Sequence, residues 1–282
     1  MTGTSSRSLP TVTHVIPGKT EVFALTSLDN HLYVVRFGRK EVEVYGAVTF
    51  TLERRLPVPE IFRSASGIAA CSRNKCLYLS DWWNSSINRV DLATDALKTW
   101  PVSGSPRGLS VNGDHNVLVT CVTETKLQEY TTDGRLVREM RLPASLGSPW
   151  HAIQMSTGDC VVSHWASLCV VSAVGGDEEI LRRYEPPSSS SSDVGPVSGP
   201  RSLAVTKHGD ILVADMGNNR ILALNSSLTR AQVLPLPADV GLRAPCALYL
   251  DDTRDRLYIG EFGGKHRLIV LTVRAAFLET LF

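Results

Sequence analysis

The sequence lacks several features that mark common functional classes. No apolar run among its 282 residues reaches the ~20 residues that span a bilayer, and the first residues lack the apolar core of a signal peptide. A cytoplasmic protein without a membrane partner is therefore expected. Lys and Arg total 29 against 28 Asp and Glu, so a net charge of +1 excludes a bulk positive field for nucleic acid but leaves room for a local basic patch.

Catalytic and metal-binding motifs are also missing. None of the six cysteines forms a C-x-x-C pair, which argues against structural zinc. The elements G-x-S-x-G and H-E-x-x-H do not occur, nor does a phosphate-binding loop. These absences predict a protein that is not an enzyme and that has no metal and no cofactor.

A repeat runs through the chain. Each unit reads as four short apolar segments separated by polar turns, a pattern that favours antiparallel strands over helices. A small residue or histidine stands early in each first segment, and the successive spacings are 43, 41, 43, 51 and 45 residues for Ala24, Gly67, Gly108, His151, Ser202 and Ala247. Six such units predict an all-β fold, a six-bladed β-propeller.

The ends of the chain predict how the propeller closes. The last unit has three clear strands, whereas Thr11 to Pro17 resembles the fourth strands of other units. We therefore expect the N-terminal strand to complete the last blade, which leaves no long edge exposed. The predicted segments are a single propeller domain over 11–273, an N-terminal tail over 1–10, a flexible Ser-rich insertion between blades 4 and 5 over 188–199, and a C-terminal tail over 274–282. That last tail either packs beneath the propeller or binds something.

One repeat carries a family resemblance. The segment from Asp215 to Ile221, D-M-G-N-N-R-I, resembles the D-x-x-N-x-R-I signature of NHL repeats, and Asp81 to Ile87 keeps part of it. The whole chain is similar to the C-terminal NHL propeller of tripartite-motif (TRIM) ubiquitin ligases, although it has no RING and no coiled coil. The resemblance implies a partner-binding propeller whose ligand is a protein or single-stranded RNA, and not ligase activity of its own.

One face of the propeller is predicted to bind the ligand. With the strands of each blade labelled a to d from the channel outward, the b–c loops and the d–a crossovers share one face, called the b–c face below. The residue after the signature Asp position is apolar in all six units: Phe37, Trp82, Val122, Trp165, Met216 and Phe262. The candidate binding residues are Phe37, Arg39, Trp82, Trp83, Arg107, Trp150, His151, Trp165, Arg201, Asn219, Arg220, Phe262 and His266.

Aromatic and arginine side chains are typical of hot spots on protein partners. The main prediction is therefore a non-catalytic scaffold that binds a protein or peptide, including a substrate for an associated ubiquitin ligase. The same mixture also suits stacking of single-stranded RNA, which is the alternative. A metal-dependent, lactonase-like hydrolase comes third, because some six-bladed propellers hold a metal in the channel. A structural alternative stays open for the residues themselves: the rings could fold inward as core, and Asp215 and Arg220 could serve only to tie loops together.

Overall fold

The computed structural model describes residues 9–58, 65–165, 167–171, 180–185, 194–278 and 281–282. Within these residues the chain forms six four-stranded antiparallel sheets. Blade 1 comprises β2 (Val22–Leu28), β3 (His31–Arg36), β4 (Glu41–Gly46) and β5 (Leu52–Pro57). Blade 2 comprises β6 (Ala65–Cys71), β7 (Cys76–Asp81), β8 (Ser86–Asp91) and β9 (Leu97–Pro101). Blade 3 comprises β10 (Pro106–Val111), β11 (Val117–Cys121), β12 (Lys126–Tyr130) and β13 (Leu136–Arg141). Blade 4 comprises β14 (Pro149–Gln154), β15 (Cys160–His164), β16 (Ser167–Val171) and β17 (Ile180–Arg183). Blade 5 comprises β18 (Pro200–Val205), β19 (Ile211–Asp215), β20 (Arg220–Leu224) and β21 (Ala231–Val233). Blade 6 comprises β22 (Pro245–Asp251), β23 (Arg256–Glu261), β24 (Leu268–Thr272) and the N-terminal strand β1 (Thr11–Ile16). The helical segments are Ala144–Leu146, Met216–Asn218 and α1 (Ala275–Leu278), and no helix in the described residues is long and apolar enough to cross a membrane.

The predicted all-β, six-bladed propeller is confirmed, including its closure. Strand β1 pairs antiparallel with β24, with Thr11 opposite Thr272 and Ile16 opposite Leu268. Burial decreases from the middle of each blade to its rim: every residue of β7 is buried, whereas β5 is exposed except at Leu56. This gradient follows from sheets that pack against neighbours on both faces near the channel and meet water at the outer strand.

Neighbouring blades are joined around the channel by side chains of the inner strands. Ser66 Oγ donates to the Pro106 carbonyl at 3.0 Å, Ser110 Oγ to the Ala152 carbonyl at 2.8 Å, and Ser202 Oγ to the Leu248 carbonyl at 3.2 Å. Each strand a is the inner edge of its sheet, so these bonds satisfy carbonyls that no further strand can reach. Small residues are required here: a Cβ on Gly67 would collide with the carbonyl oxygen of Arg107.

The segments outside the regular blades make specific contacts where they are described. In the C-terminal tail, Phe277, Leu278 and Leu281 are buried against the core shared by blades 5 and 6. Of the predicted insertion over 188–199, residues 188–193 lie outside the described residues. Val194 and Val197 are buried in the core between blades 4 and 5, so this part of the segment is packed.

Candidate functional site

The central channel encloses a cavity of about 330 Å³. Its walls are the six inner strands, and its mouth lies on the b–c face, where Phe23, Arg107, Trp150, Arg201 and Phe262 stand. Of the described residues that line it, none is Asp or Glu. The cavity is therefore an apolar space whose charged lining is positive.

His151 is the only histidine in the described lining, and both of its ring nitrogens are engaged. Nδ1 accepts the Leu203 N–H of blade 5 at 3.0 Å, and Nε2 lies 3.0 Å from the Leu109 carbonyl of blade 3. This pattern assigns the proton to Nε2, which donates to Leu109. Burial lowers the pKa of His151, so the ring is neutral at pH 7 and joins three blades.

Four of the candidate residues form one continuous stack at the channel mouth. The guanidinium carbon of Arg107 lies 3.8 Å from the centre of the Trp82 ring and 4.2 Å from that of Trp150. Arg201 covers Trp150 at 3.3 Å. The order Trp82, Arg107, Trp150, Arg201 alternates cation and ring across blades 2 to 5, with each contact in cation–π range. This set is called the mouth stack below.

The arginines of the mouth stack are desolvated. Burial, with a smaller contribution from the neighbouring Arg201, lowers the pKa of Arg107 to about 10. Burial also lowers the pKa of Arg201. Both Nε atoms and the indole nitrogen of Trp150 are buried without a hydrogen-bond partner among the described residues. Both arginines stay protonated at pH 7, so two positive charges face the mouth.

Aromatic rings form the opposite side of the mouth. Phe23 lies 5.7 Å from Phe37 and 6.3 Å from Phe262, measured between ring centres, and Phe37 lies 6.5 Å from Phe262. Sequence reasoning selected Phe37 and Phe262 but not Phe23. The available signal was its position at the start of an inner strand, which aligns with Arg107, Trp150 and Arg201.

Two further tryptophans point to water on the same face. Trp83 is 63% exposed and Trp165 is 62% exposed, next to Phe37 at 49% and Phe262 at 36%. Among the described residues, these four are the only aromatic side chains in the exposed class, and all four belong to b–c loops. The equivalent position in blade 3, Val122, is buried.

The remaining candidate residues mostly hold loops. Arg220 Nε lies 2.7 Å from Asp215 Oδ2, and its guanidinium also donates to the Pro196 carbonyl. Asn219 Oδ1 accepts the Ala244 N–H of the next crossover at 2.7 Å. The carbonyl of His266 accepts from Arg36 at 3.3 Å.

Arg39 is exposed on the blade 1 loop, outside the cavity.

The signature Asp position holds an ion pair in blades 1, 5 and 6, although of these three only blade 5 has Asp there. Glu261 in blade 6 contacts Arg267 at 2.7 Å, as Asp215 does with Arg220. In blade 1 the charges are exchanged, since Arg36 contacts Glu43 at 2.7 Å. Sequence reasoning missed the exchange because the partner acid stands seven residues further on, inside strand β4, whereas Arg220 stands five residues after Asp215.

Solved structures with the same fold are similar over nearly the whole chain. Virginiamycin B lyase from Staphylococcus aureus, in selenomethionine form, has a TM-score of 0.68 at 11% identity, over 94% of this chain and 99% of that one. A catalytically inactive form of virginiamycin B lyase from the same organism, with quinupristin, has a TM-score of 0.66 at 14% identity, over 92% and 83%. Hydrazine synthase from Kuenenia stuttgartiensis has a TM-score of 0.64 at 12% identity, over 93% and 98%.

The other comparisons give no family. No protein-family model matches the chain, and no curated protein matches it. The resemblance to NHL repeats of tripartite-motif proteins therefore stays a prediction, and the structural likeness establishes the propeller fold.

The prediction that the chain is not an enzyme is contradicted by these structures. The three structures named above are of lyases and a synthase, so proteins that superpose on nearly the whole chain include enzymes. The physical reason for the error is that a propeller assembles its channel from single residues of six separate blades. The absence of a linear catalytic motif therefore excludes little. The described residues contain no group of three or more His, Cys, Asp or Glu that could hold a metal ion.

Proposed function

We propose that the b–c face binds an extended peptide segment of a partner protein. The observation that carries this proposal is the placement of the exposed aromatics: Phe37, Trp83, Trp165 and Phe262 all stand in loops of one face. Large exposed aromatic rings are costly to leave in water, and they are enriched in the centres of protein interfaces. Their spread around the mouth suits an elongated ligand that crosses several blades.

A peptide accounts for this surface better than single-stranded RNA does. Tight RNA binding needs several arginines or lysines directed at phosphates, and affinity then falls steeply with salt. Arg220 and Arg267 on this face already contact buried carboxylates. Exposed cations such as Arg39 and Lys40 also stand on this face. At the channel mouth, however, only Arg107 and Arg201 line the cavity, and two arginines suit one acidic group better than a chain of phosphates.

The test is selection of peptides from a random display library on the intact protein, followed by calorimetry with the synthesised peptides. We expect Trp165→Ala and Phe37→Ala to weaken binding about tenfold or more, since hot-spot truncation costs ~2 kcal/mol. Leu136→Ala is the matched control, because Leu136 is also exposed but stands on outer strand β13. Equal affinities of all three variants and the wild type would refute the proposal.

Short oligonucleotides in the same assay test the alternative. A steep loss of oligonucleotide affinity between about 50 and 200 mM salt, without any selected peptide, would assign the face to RNA. A cytoplasmic location and a part in choosing substrates for a ubiquitin ligase belong to the same proposal and depend on identifying the partner.

A reaction in the channel is the second candidate function. It is supported by the lyases among the similar propellers and by a cavity that reaches the side chains of His151, Cys246 and Tyr249. The direct test incubates the protein with quinupristin and separates substrate from product by chromatography. Conversion that His151→Ala abolishes, while the protein stays folded, would establish it. Unchanged quinupristin would remove this compound as a substrate.

A further inference from the structure

The two arginines of the mouth stack are placed unlike the other buried arginines of this face. Arg36, Arg220 and Arg267 each lie 2.7 Å from a carboxylate oxygen. Arg107 and Arg201 instead stack on tryptophan rings, and their side chains make no ion pair or hydrogen bond to any residue that the structure describes. Both side chains are half-buried, and removing positive charge from water is costly unless something compensates it.

The rings hold the two guanidiniums in place without neutralising them. Trp150 contacts both Arg107 at 4.2 Å and Arg201 at 3.3 Å, and Trp82 contacts Arg107 at 3.8 Å. Stacking leaves the N–H groups in the guanidinium plane available, because a ring contacts the face and not the edge. A site whose donors are fixed in advance loses little entropy when a ligand binds.

The cavity below the arginines defines the rest of the ligand. Its volume of about 330 Å³ is near the lower end of the range for small-molecule pockets, roughly 300–1,000 Å³. Ile68, Leu109 and Leu203 are among its apolar lining residues, and its described lining has no carboxylate that would repel an anion. Such a space accepts a compact apolar group.

We propose that the channel mouth binds an organic oxyanion, with the carboxylate or phosphate on Arg107 and Arg201 and its apolar body in the channel. Arginine pairs recognise either group through paired N–H donors. The group could belong to a free small molecule or to the acidic side chain or C-terminus of a bound peptide. Only the peptide case rests on the function proposed above.

The experiment uses four probes that share one ring and differ in charge. Phenylacetate and phenyl phosphate carry the oxyanion, phenylacetamide is neutral, and phenethylamine is a cation. Binding to the intact protein is followed by calorimetry and by the fluorescence of its tryptophans, since Trp150 lies within the site. We expect at least one anion to bind about tenfold or more tightly than the amide, and the cation not to bind at about 10 mM. Equal binding of acids and amide, or no anion binding at that concentration, would overturn the proposal.

Arginine variants then locate the anion. Arg107→Gln and Arg201→Gln are each expected to weaken binding of the tighter anion about tenfold and to abolish its advantage over the amide. Arg243→Gln is the matched control, because it removes the same charge from an exposed crossover of the same face, outside the cavity. Unchanged affinity in both mouth variants would refute the site. If either glutamine variant fails to fold, as judged by circular dichroism, Arg107→Lys and Arg201→Lys replace them, with weaker anion binding expected from loss of the planar fork.

The selected peptides separate this proposal from the function proposed above. Peptides that bind while all small anions fail would refute the oxyanion site and leave the peptide function standing. Small anions that bind when no peptide does would refute the peptide function and leave the oxyanion site. Competition between a selected peptide and the tighter anion would identify a peptide carboxylate as the natural occupant.

Discussion

Arginines on the b–c face occur in two settings, and the difference separates architecture from recognition. Arg220 and Arg267 lie 2.7 Å from fully buried carboxylates that end the second strands of blades 5 and 6. At the channel mouth, Arg107 and Arg201 lie against tryptophan rings instead. An arginine paired with an acid is already satisfied within the fold. An arginine held by a ring keeps its charge for a ligand.

Removing an acid from the paired setting is expected to have the largest effect. Glu261→Ala leaves Arg267 without its counter-ion and the Arg243 N–H without its acceptor. We expect the free energy of unfolding to fall by about 3–5 kcal/mol, the usual cost of breaking a buried pair. Urea denaturation measures this loss.

The control for that loss is an exposed pair. Glu41 contacts Arg55 at 2.9 Å, with side chains 35% and 51% exposed. Glu41→Ala should cost about 1 kcal/mol or less, because solvent screens the attraction. Similar losses for the two variants would show that burial does not distinguish the pairs.

His164 sharpens the comparison because it occupies the Glu261 position in blade 4. It is buried, its Nε2 has no hydrogen-bond partner among the described residues, and burial, aided by Arg183, lowers its pKa to about 4. The folded state therefore favours neutral His164, whose stability contribution is complete above pH ~6.5 and lost as pH falls toward 4. Allowing for solvent screening, we expect the free energy of unfolding to fall by about 2 kcal/mol as the pH is lowered over that range.

The measurement compares the pH dependence of unfolding in the wild type and in His164→Asn. Asparagine does not titrate, so its profile should be flatter between pH 6.5 and 4. The same pH dependence of unfolding free energy in both proteins would show that a group other than His164 is responsible.

Changes in the ring-held setting are expected to have the smallest effect on stability. Arg107→Gln loses two cation–π contacts but also relieves a buried charge and its repulsion of Arg201. These terms oppose each other, so we expect unfolding free energy to change by about 1 kcal/mol or less. A loss as large as that of Glu261→Ala in thermal or urea unfolding would make Arg107 part of the architecture.

The fold was predictable because every blade repeats the same local sequence pattern. Alternating apolar strands and turn residues act within one unit, and the missing fourth strand of the last unit could be matched to Thr11–Ile16 by its composition. The residues of the mouth stack were also selected individually from the sequence. The stacking of arginines between tryptophans was not predicted from the sequence. Trp82, Arg107, Trp150 and Arg201 belong to four blades, and they meet only once the propeller has formed.

The incorrect exclusion of catalysis has a related cause. Motif searches test chemistry that is contiguous in sequence, such as a nucleophile on a turn. A propeller channel is lined by residues of every blade, so a catalytic group of residues forms only when the six blades are assembled. The exchanged pair of Arg36 and Glu43 was hidden similarly, since Arg36 looks like a lost signature Asp and Glu43 stands two residues beyond the signature Arg position.

The pairing of β1 with β24 has a kinetic consequence. Thr11 lies opposite Thr272, so the final sheet joins positions 261 residues apart in the chain. Bringing such distant segments together costs loop-closure entropy that local hairpins do not incur, and folding slows as contacts become more distant. Until β1 is in place, β24 presents an open strand edge that can pair with another molecule. Hydrogen exchange should therefore find the amides of β1, and those β24 amides that bond to β1, among the last to become protected during refolding. Refolding at high protein concentration should lower the yield of soluble protein, because molecules aggregate through this open edge.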